Sequence, residues 1–245
     1  MQVANVLDLD DVNKLWRVFR PEYLVKDLMN RQLTLVRPST WDDPFENFLE
    51  KCRFRLTTGE QVDASPILRR FFGQCWTTSE RETDATWRIY SPEKDGVRVR
   101  VSMPHLIGSM WDPSDRFAAL KYFIGRVGYV SSAYIDIALK HTPTAPLTGG
   151  GGRNLVQTLL IKRLEFEHEQ EARLLFYDAE DQFQGRSLWS VPVDPAVLFE
   201  EAVFDPRMPD SVVVEWTSKL RAAGFAGAIS QSTLYRPPSW DITLS

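Results

Sequence analysis

The chain has 245 residues, of which 43% are hydrophobic and 25% are charged, and its formal net charge is −4 at pH 7. This composition is typical of a globular protein with an ordinary core, and the acidic balance argues against a general binder of nucleic acid or of membrane surfaces. No apolar run approaches the roughly 20 residues that span a bilayer, and the N-terminus has no signal-peptide pattern, so we expect a cytoplasmic protein without a membrane partner.

The first half of the chain is predicted to alternate short strands with helices. Pro21 suits the first position of a helix, where its missing N–H group is no loss. Three valines alternate with two arginines over residues 97–101, which predicts a strand with one apolar face. The predicted strands cover residues 15–19, 33–36, 74–78 and 96–101, and the predicted helices begin at Pro21 and cover residues 66–72, 82–90, 103–110 and 116–123.

The second half continues in the same manner. Strands are predicted at residues 128–130 and 226–230, helices at 155–164 and 212–223, and a glycine-rich loop at 141–152. Strands that pair over long range, with helices at irregular intervals, predict an α+β fold with a central mixed or antiparallel sheet and peripheral helices. We expect one domain over residues 1–245, in which residues 14–176 carry the motifs and 177–245 complete the same domain.

A glutamate-rich segment at residues 165–176 is the strongest functional signal. Residues two apart share one face of a strand, so a strand would align the four carboxylates. Like charges on one face repel, and a site that needs carboxylates explains the pattern better than folding does. A helix is the alternative, because Glu and Gln are good helix formers. The alternating glutamates are Glu165, Glu167, Glu169 and Glu171.

The segment at residues 38–46 is a turn-rich loop with two prolines, two aspartates and two aromatic residues. The prolines restrict its backbone, and we expect Trp41 and Phe45 to be buried. Asp42 or Asp43 is expected to cap local backbone amides. We predict that this ordered loop packs near the functional cleft.

Several segments together resemble a bacterial family known only as a domain of unknown function. Its members open with a Leu-Tyr-Lys-Tyr-Arg-like strand, which corresponds here to residues 15–20. A Pro-Ser-x-Phe-Asn-Asp-Pro-Phe loop follows, which is Pro-Ser-Thr-Trp-Asp-Asp-Pro-Phe at residues 38–45. The family's Cys-Phe-Ser, Met-Trp-x-x-Tyr, Lys-Gly and Tyr-Glu-x-Glu-Trp-Arg motifs match residues 75–77, 86–90, 94–97 and 168–173. Asp42 replaces the family's Asn, and Ala172 replaces its aromatic residue.

The layout also resembles the ADP-ribosyltransferase fold. Many such enzymes carry an Arg on the first strand, a Ser/Thr triplet on a middle strand and Glu/Gln-x-Glu on a late strand. This chain offers Arg17, then Thr77, Thr78 and Ser79, and then Glu169-Gln170-Glu171, in that order. The resemblance implies NAD as the cofactor, a protein or nucleic-acid acceptor, and a bacterial toxin or phage-defence effector.

The resemblance also implies roles for single residues. Positive charge develops on the ribose when nicotinamide leaves, and Glu171 would stabilise it. Glu169 would position or deprotonate the acceptor. Arg17, with Arg20 in reserve, would bind the cofactor diphosphate. The hydroxyls of Thr77, Thr78 and Ser79 would brace the glutamate and the cofactor, and the rings of Trp87 and Tyr90 could stack on its bases.

Other readings remain open. The glutamates could form a solvated strand face paired with Arg173 or Lys162. The chain could be a catalytically inactive nucleotide-binding or interaction module of the same fold, or a metal-dependent nuclease or phosphodiesterase. The two cysteines and three histidines form no zinc motif, and we expect no metal ligands.

Overall fold

The computed structural model describes residues 5–43, 45–46, 48–111, 114–115, 117–141, 152–239 and 243, with residues 138–141 described by their main chain only. The described chain forms one ten-stranded sheet and two small two-stranded sheets. Both parallel and antiparallel pairs occur in the large sheet, and the helices are peripheral to it. The expected α+β fold with a central mixed sheet is therefore confirmed.

The strands are numbered β1 to β14 in chain order. Their bounds are Val6–Leu7, Lys14–Phe19, Gln32–Val36, Phe54–Arg55, Gln61–Val62, Phe71–Thr77, Val97–Ser102, Tyr122–Arg126, Gly128–Val130, Ile161–Arg163, Glu171–Tyr177, Leu188–Pro192, Phe199–Phe204 and Ala228–Gln231.

Within the described residues the α-helices are numbered α1 to α9, and short 3-10 helices accompany them. The α-helices are Pro21–Met29, Ser65–Leu68, Asp84–Tyr90, Met103–Met110, Ala118–Lys121, Ser132–His141, Gly152–Thr158, Pro195–Leu198 and Asp210–Ala222; the 3-10 helices are Pro38–Thr40, Phe48–Lys51 and Leu164–Glu169. No helix in the described ranges is long and apolar enough to cross a membrane.

The large sheet has the strand order β1-β8-β11-β6-β2-β7-β13-β14, with β3 paired to β6 and β12 paired to β3. The sequence patterns at residues 15–19, 75–78, 97–101 and 172–176 predict strands of one central sheet. The structure confirms this prediction, because these residues lie on the neighbouring strands β2, β6, β7 and β11, with Thr78 directly after β6. Strands β12, β13 and β14 come from the C-terminal part of the chain and extend the same sheet.

Alternation along the central strands places two apolar clusters on the sheet. Phe72 and Leu174 belong to the larger cluster, whereas their neighbours Phe71 and Leu175 belong to the smaller one. Because successive side chains point to opposite faces of a strand, the two clusters cover opposite faces of β6 and β11. The valines of β7 follow the same rule and are fully buried in the larger cluster.

The prediction that the glutamate segment is one strand is wrong for its first half. Residues Leu164–Glu169 form a 3-10 helix, and Gln170 turns the chain in the left-handed region with φ 44°. Only Glu171 lies on β11, while Glu165 and Glu167 are exposed on the helical turn. The turn keeps these charges in solvent and avoids a ladder of like charges on one strand face.

Three predicted helices are shorter than expected. The helix predicted at 155–164 ends at Thr158, and β10 follows. The helix predicted at 116–123 gives way to β8, which pairs with β11, and the one predicted at 66–72 gives way to β6. In each case long-range strand pairing overrides local helix propensity. Residues 142–151 of the predicted glycine-rich loop lie outside the described residues.

The loop at residues 38–46 begins as the 3-10 helix Pro38–Thr40. Asp43 is buried, and its Oδ1 accepts a hydrogen bond from the Phe45 amide at 3.0 Å, so the predicted capping is confirmed for Asp43. Trp41 is half-buried, whereas Phe45 is 37% exposed, so the predicted burial of Phe45 is wrong. The guanidinium of Arg163 lies 4.4 Å from the Phe45 ring centroid and replaces the expected apolar packing.

Gly73→Ala is expected to lower the free energy of unfolding by about 1–3 kcal/mol. A Cβ at Gly73 would lie 2.8 Å from Cζ2 of Trp41 and 3.0 Å from Cδ2 of Leu175, so one of these side chains must move. Urea denaturation followed by fluorescence measures the loss.

Gly108→Ala in α4 is the control for this substitution. Its Cβ would meet no described atom within 4 Å outside its own helix. Alanine in a helix interior stabilises by about 0.5–1 kcal/mol relative to glycine. Equal effects of the two substitutions would contradict close packing of Trp41 on β6.

Candidate functional site

The register of three adjacent strands assembles the candidate site. Glu171 on β11 is the cross-strand partner of Thr77 on β6, and Thr77 is in turn the partner of Trp16 on β2. Arg17 is the next residue of β2. The sheet order β11-β6-β2 therefore brings the ends of the three strands that carry Arg17, Thr77 and Glu171 together.

Arg17 is half-buried, and its guanidinium reaches β6. Its Nη1 donates a hydrogen bond to the main-chain oxygen of Cys75, and its Cζ lies 5.2 Å from the ring centroid of Phe19. Burial lowers the pKa of Arg17, while Cys75, Glu171 and Tyr90 act in the opposite direction. Its Nε is buried and has no hydrogen-bond partner among the described residues. This buried donor is therefore unsatisfied within the described part of the chain.

The hydroxyl-bearing triplet lies where β6 ends. Thr77 Oγ1 donates to the main-chain oxygen of Glu169 at 2.7 Å, and Thr78 Oγ1 donates to that of Gln170 at 3.1 Å. The amide of Ser79 donates to Thr77 Oγ1 at 3.1 Å. Thr77 and Thr78 thus fix the main chain between the 3-10 helix and β11, immediately before Glu171.

The carboxylate of Glu171 is buried and ion-paired. The residue is 3% exposed, and its two oxygens accept hydrogen bonds from Nε and Nη2 of Arg173 at 2.8 and 2.9 Å. Lys162 Nζ lies 3.4 Å from Oε2. Burial alone would raise the pKa of Glu171, but Arg173 and Lys162 hold it below its usual range. Glu171 is therefore ionised. The alternative of a solvated strand face paired with Arg173 or Lys162 is confirmed for the two ion-pair partners, but it is wrong about solvent, because Glu171 is buried.

Arg173 is the centre of this cluster and is fully buried. Its Nη1 donates to the main-chain oxygen of Leu159 at 2.6 Å, its Nη2 also donates to Glu46, and its Cζ lies 4.4 Å from the ring centroid of Trp41. Burial would lower the pKa of Arg173, but Glu171 and Glu46 raise it above its ordinary value. Every nitrogen of the guanidinium therefore has a hydrogen-bond acceptor.

Glu169 and Tyr90 lie at the more accessible edge of the cluster. The side chain of Glu169 is 12% exposed and accepts a hydrogen bond from Lys162 Nζ at 2.5 Å. Tyr90 is 47% exposed and lies close to the carboxylate of Glu169. Partial burial and the nearby carboxylates Glu169 and Glu171 raise the pKa of Tyr90 above its ordinary value. Tyr90 is therefore a neutral donor with an accessible ring.

Two other predicted cofactor residues have different surroundings. Trp87 is fully buried, and its Nε1 donates to Glu82 at 2.6 Å. Its ring belongs to the interior and has no free face for a ligand in this structure. Arg20 is exposed and directly precedes α1.

A cavity of about 290 Å³ opens beside the loop at residues 38–46. It is slightly below the range of roughly 300–1,000 Å³ that is usual for ligand pockets. Glu46 connects it to Arg173, but neither Arg17 nor Glu171 belongs to its lining. The lining residues are Pro38, Ser39, Trp41, Glu46, Glu50, Lys51 and Arg69.

Sequence reasoning did not assign a role to Glu46. Glu46 ends the proline- and aspartate-rich loop. The sequence signal for a role was a carboxylate whose position is fixed by the conformationally restricted turn before it. Within the described ranges, no group of three or more His, Cys, Asp or Glu side chains could hold a metal ion.

No protein-family model and no curated protein matches the chain. Among solved structures, the chain is similar to DarT from Thermus sp. 2.9. The structure of DarT in complex with NAD+ shares 11% identity and a TM-score of 0.40 over 91% of this chain and 96% of that chain. The complex with ADP-ribosylated ssDNA gives 11% and 0.40, covering 91% and 95%, and the complex with carba-NAD+ gives 12% and 0.39, covering 91% and 96%. At this identity and TM-score, the likeness assigns neither an activity nor site residues.

Proposed function

We propose that the chain is an NAD-dependent ADP-ribosyltransferase that modifies a protein or nucleic-acid acceptor. One observation carries the proposal: an arginine with an unsatisfied buried donor, a threonine brace and an ionised glutamate lie near the ends of three adjacent strands. This arrangement supplies a cation for a diphosphate and a carboxylate for a developing positive charge. By its family resemblance, the protein would be a cytoplasmic bacterial toxin or phage-defence effector.

The proposal assigns the diphosphate of NAD to Arg17. Arg17 Nε lacks an acceptor, and guanidinium groups bind phosphate oxygens through charge-assisted hydrogen bonds. Tyr90 offers an accessible ring and hydroxyl near the same place, suited to stacking on a base or bonding to a ribose. In this proposal Arg17 binds NAD and Tyr90 orients it.

The glutamates would act on the reacting end. As the bond between ribose and nicotinamide breaks, nicotinamide leaves as a neutral ring and positive charge develops on the ribose. The charge of Glu171 favours that state electrostatically. Glu169 would take the proton of the acceptor as the new bond to the ribose forms, since its carboxylate pairs with Lys162 and is more accessible than that of Glu171.

Calorimetry with NAD, followed by incubation with labelled NAD and cell lysate, tests the proposal. We expect NAD binding and transfer of label to a macromolecule, and digestion with protease or nuclease identifies the acceptor class. Absence of NAD binding would end the proposal. Cleavage of nucleic acid that requires a divalent metal and not NAD would favour the nuclease reading instead.

Arg17→Ala is expected to weaken NAD binding by about 10- to 100-fold, since a hydrogen bond to a charged group contributes about 1.5–3 kcal/mol. Arg55→Ala removes an exposed arginine of β4, outside the site, and is the matched control. Calorimetric Kd values for both variants check the expectation. An unchanged Kd in Arg17→Ala would remove Arg17 from the NAD site.

A nucleotide-binding module without chemistry is the second candidate. The observation that favours it is the complete pairing of the Glu171 carboxylate with Arg173 and Lys162. In a module of this kind, Glu171 would stabilise the fold and contribute nothing to turnover. NAD binding without release of nicotinamide, in the presence of lysate, would select this candidate.

A further inference from the structure

We infer that Glu46 is a positioning residue for Glu171, acting through the two cations that both carboxylates share. The inference rests on the proposed function, in which Glu171 is the carboxylate at the reacting ribose. It also assigns a role to the proline- and aspartate-rich loop, which no other part of the proposed mechanism uses.

The contacts of Glu46 are those of a group inside the cluster. Glu46 is 6% exposed, its Oε1 lies 3.0 Å from Lys162 Nζ, and the same oxygen accepts a hydrogen bond from Arg173 Nη2. Arg173 and Lys162 are also the two cations that contact Glu171. Glu46 and Glu171 therefore both contact the same two cations directly.

The loop fixes Glu46 in this place through two anchors. The amide of Glu46 donates to the main-chain oxygen of Asp43 at 3.0 Å, and Asp43 Oδ1 accepts from Arg163 Nη2 at 2.8 Å. Trp41, earlier in the same loop, stacks on the guanidinium of Arg173. The side chains of Asp43 and Trp41 thus attach the loop to β10 and β11, and these attachments hold Glu46 beside Arg173 and Lys162.

The charge of the cluster gives Glu46 its effect on catalysis. Glu46, Glu169 and Glu171 face Lys162 and Arg173, so the five groups carry a net charge of −1 when all are ionised. Removal of one negative charge makes the cluster neutral. A neutral cluster stabilises a developing positive charge less, and Arg173 is then held by one carboxylate fewer.

Binding of NAD in the ground state should not depend on Glu46. Arg17 donates to Cys75 and makes no described contact with Glu46. The charge and orientation supplied by Glu46 matter mainly when positive charge develops. Glu46 should therefore affect kcat and leave the NAD affinity unchanged, which a general loss of structure would not do.

The test compares Glu46→Gln, Glu46→Asp and Glu50→Gln in steady-state NAD cleavage. Glu46→Gln should lower kcat by about 10- to 100-fold, as is usual for residues that support a reacting group, with an unchanged Kd for NAD. Glu46→Asp keeps the charge and should recover part of kcat. Glu50→Gln is the control, because Glu50 lines the same cavity and pairs with Arg69 outside the cluster.

A second measurement separates this inference from the proposed function. The Nε–H of Arg173 is bonded to Glu171 within a fully buried side chain, so its NMR signal should exchange slowly with solvent. Glu46→Gln should shift that signal and speed its exchange, and Glu50→Gln should not. A wild-type protein that does not bind NAD overturns the proposed function. An unaltered Arg173 signal, a full kcat, or a parallel loss of kcat and NAD affinity in Glu46→Gln overturns the positioning role.

Discussion

Glu171→Gln is expected to lower kcat for NAD cleavage by about 100- to 1,000-fold while the Kd for NAD changes little. The substitution keeps the size of the side chain and removes the charge that favours the developing positive charge on the ribose. The affinity is conserved because Arg17, on another strand, contributes most of the ground-state binding in this proposal. Release of nicotinamide, with Kd from calorimetry, measures both quantities.

Glu167→Gln is the matched control for this substitution. Glu167 is exposed on the 3-10 helix Leu164–Glu169 two positions before Glu169, and its side chain is outside the charged cluster. The Glu167→Gln variant should cleave NAD at the wild-type rate. Circular dichroism of both variants verifies folding. An unchanged kcat in folded Glu171→Gln would remove Glu171 from the mechanism and favour the binding module.

Arg173→Met is expected to lower the free energy of unfolding by about 3–5 kcal/mol, because removal of one partner leaves buried charge uncompensated. Arg173 is fully buried and is the hydrogen-bonded partner of both Glu171 and Glu46. The substitution also leaves the Leu159 carbonyl without its donor. Urea denaturation gives the difference in stability.

Arg88→Met provides the comparison for an ion pair in solvent. Arg88 pairs with Asp84 at 2.7 Å on the surface of α3, with side chains 65% and 51% exposed. Exposed pairs of this kind contribute about 0–1 kcal/mol, so Arg88→Met should be nearly neutral. Similar small losses in both variants would mean that Arg173 is not the centre of a buried network.

Glu171→Gln and Arg173→Met address different properties of one charged cluster. Arg173 is needed to keep the carboxylates buried, whereas the charge of Glu171 is needed for turnover in the proposed reaction. The loop at residues 38–46 contributes to both properties, since Trp41 stacks on Arg173 and Glu46 accepts a hydrogen bond from it. A site built in this way ties the candidate carboxylate to the stability of the sheet edge.

The central sheet could be predicted from local patterns. The strands β2, β6, β7 and β11 consist of apolar or alternating runs bounded by turn residues. Pro21 likewise begins α1 as predicted. These features depend on side-chain alternation and backbone geometry over a few residues, and such information is present in any short stretch of sequence.

The glutamate segment could not be predicted in the same way. Alternating Glu residues suit a strand by period and a helix by propensity, so the sequence alone leaves both open. The tertiary structure decides the question, because β11 finds partners only from Glu171 onward. Before that residue the chain forms the 3-10 helix Leu164–Glu169, whose end is held by hydrogen bonds from Thr77 and Thr78.

Local patterns in the sequence predict the class of fold, the central strands and the order in which Arg17, Thr77 and Glu171 occur. The burial of Glu171 and its pairing with Arg173 and Lys162, which also hold Glu46, are visible only in the folded chain. The physical reason is distance along the chain: Glu46 and Arg173 are 127 residues apart in sequence and yet form a hydrogen bond. Such a contact arises from packing of the whole sheet and its loop, and no local pattern contains it.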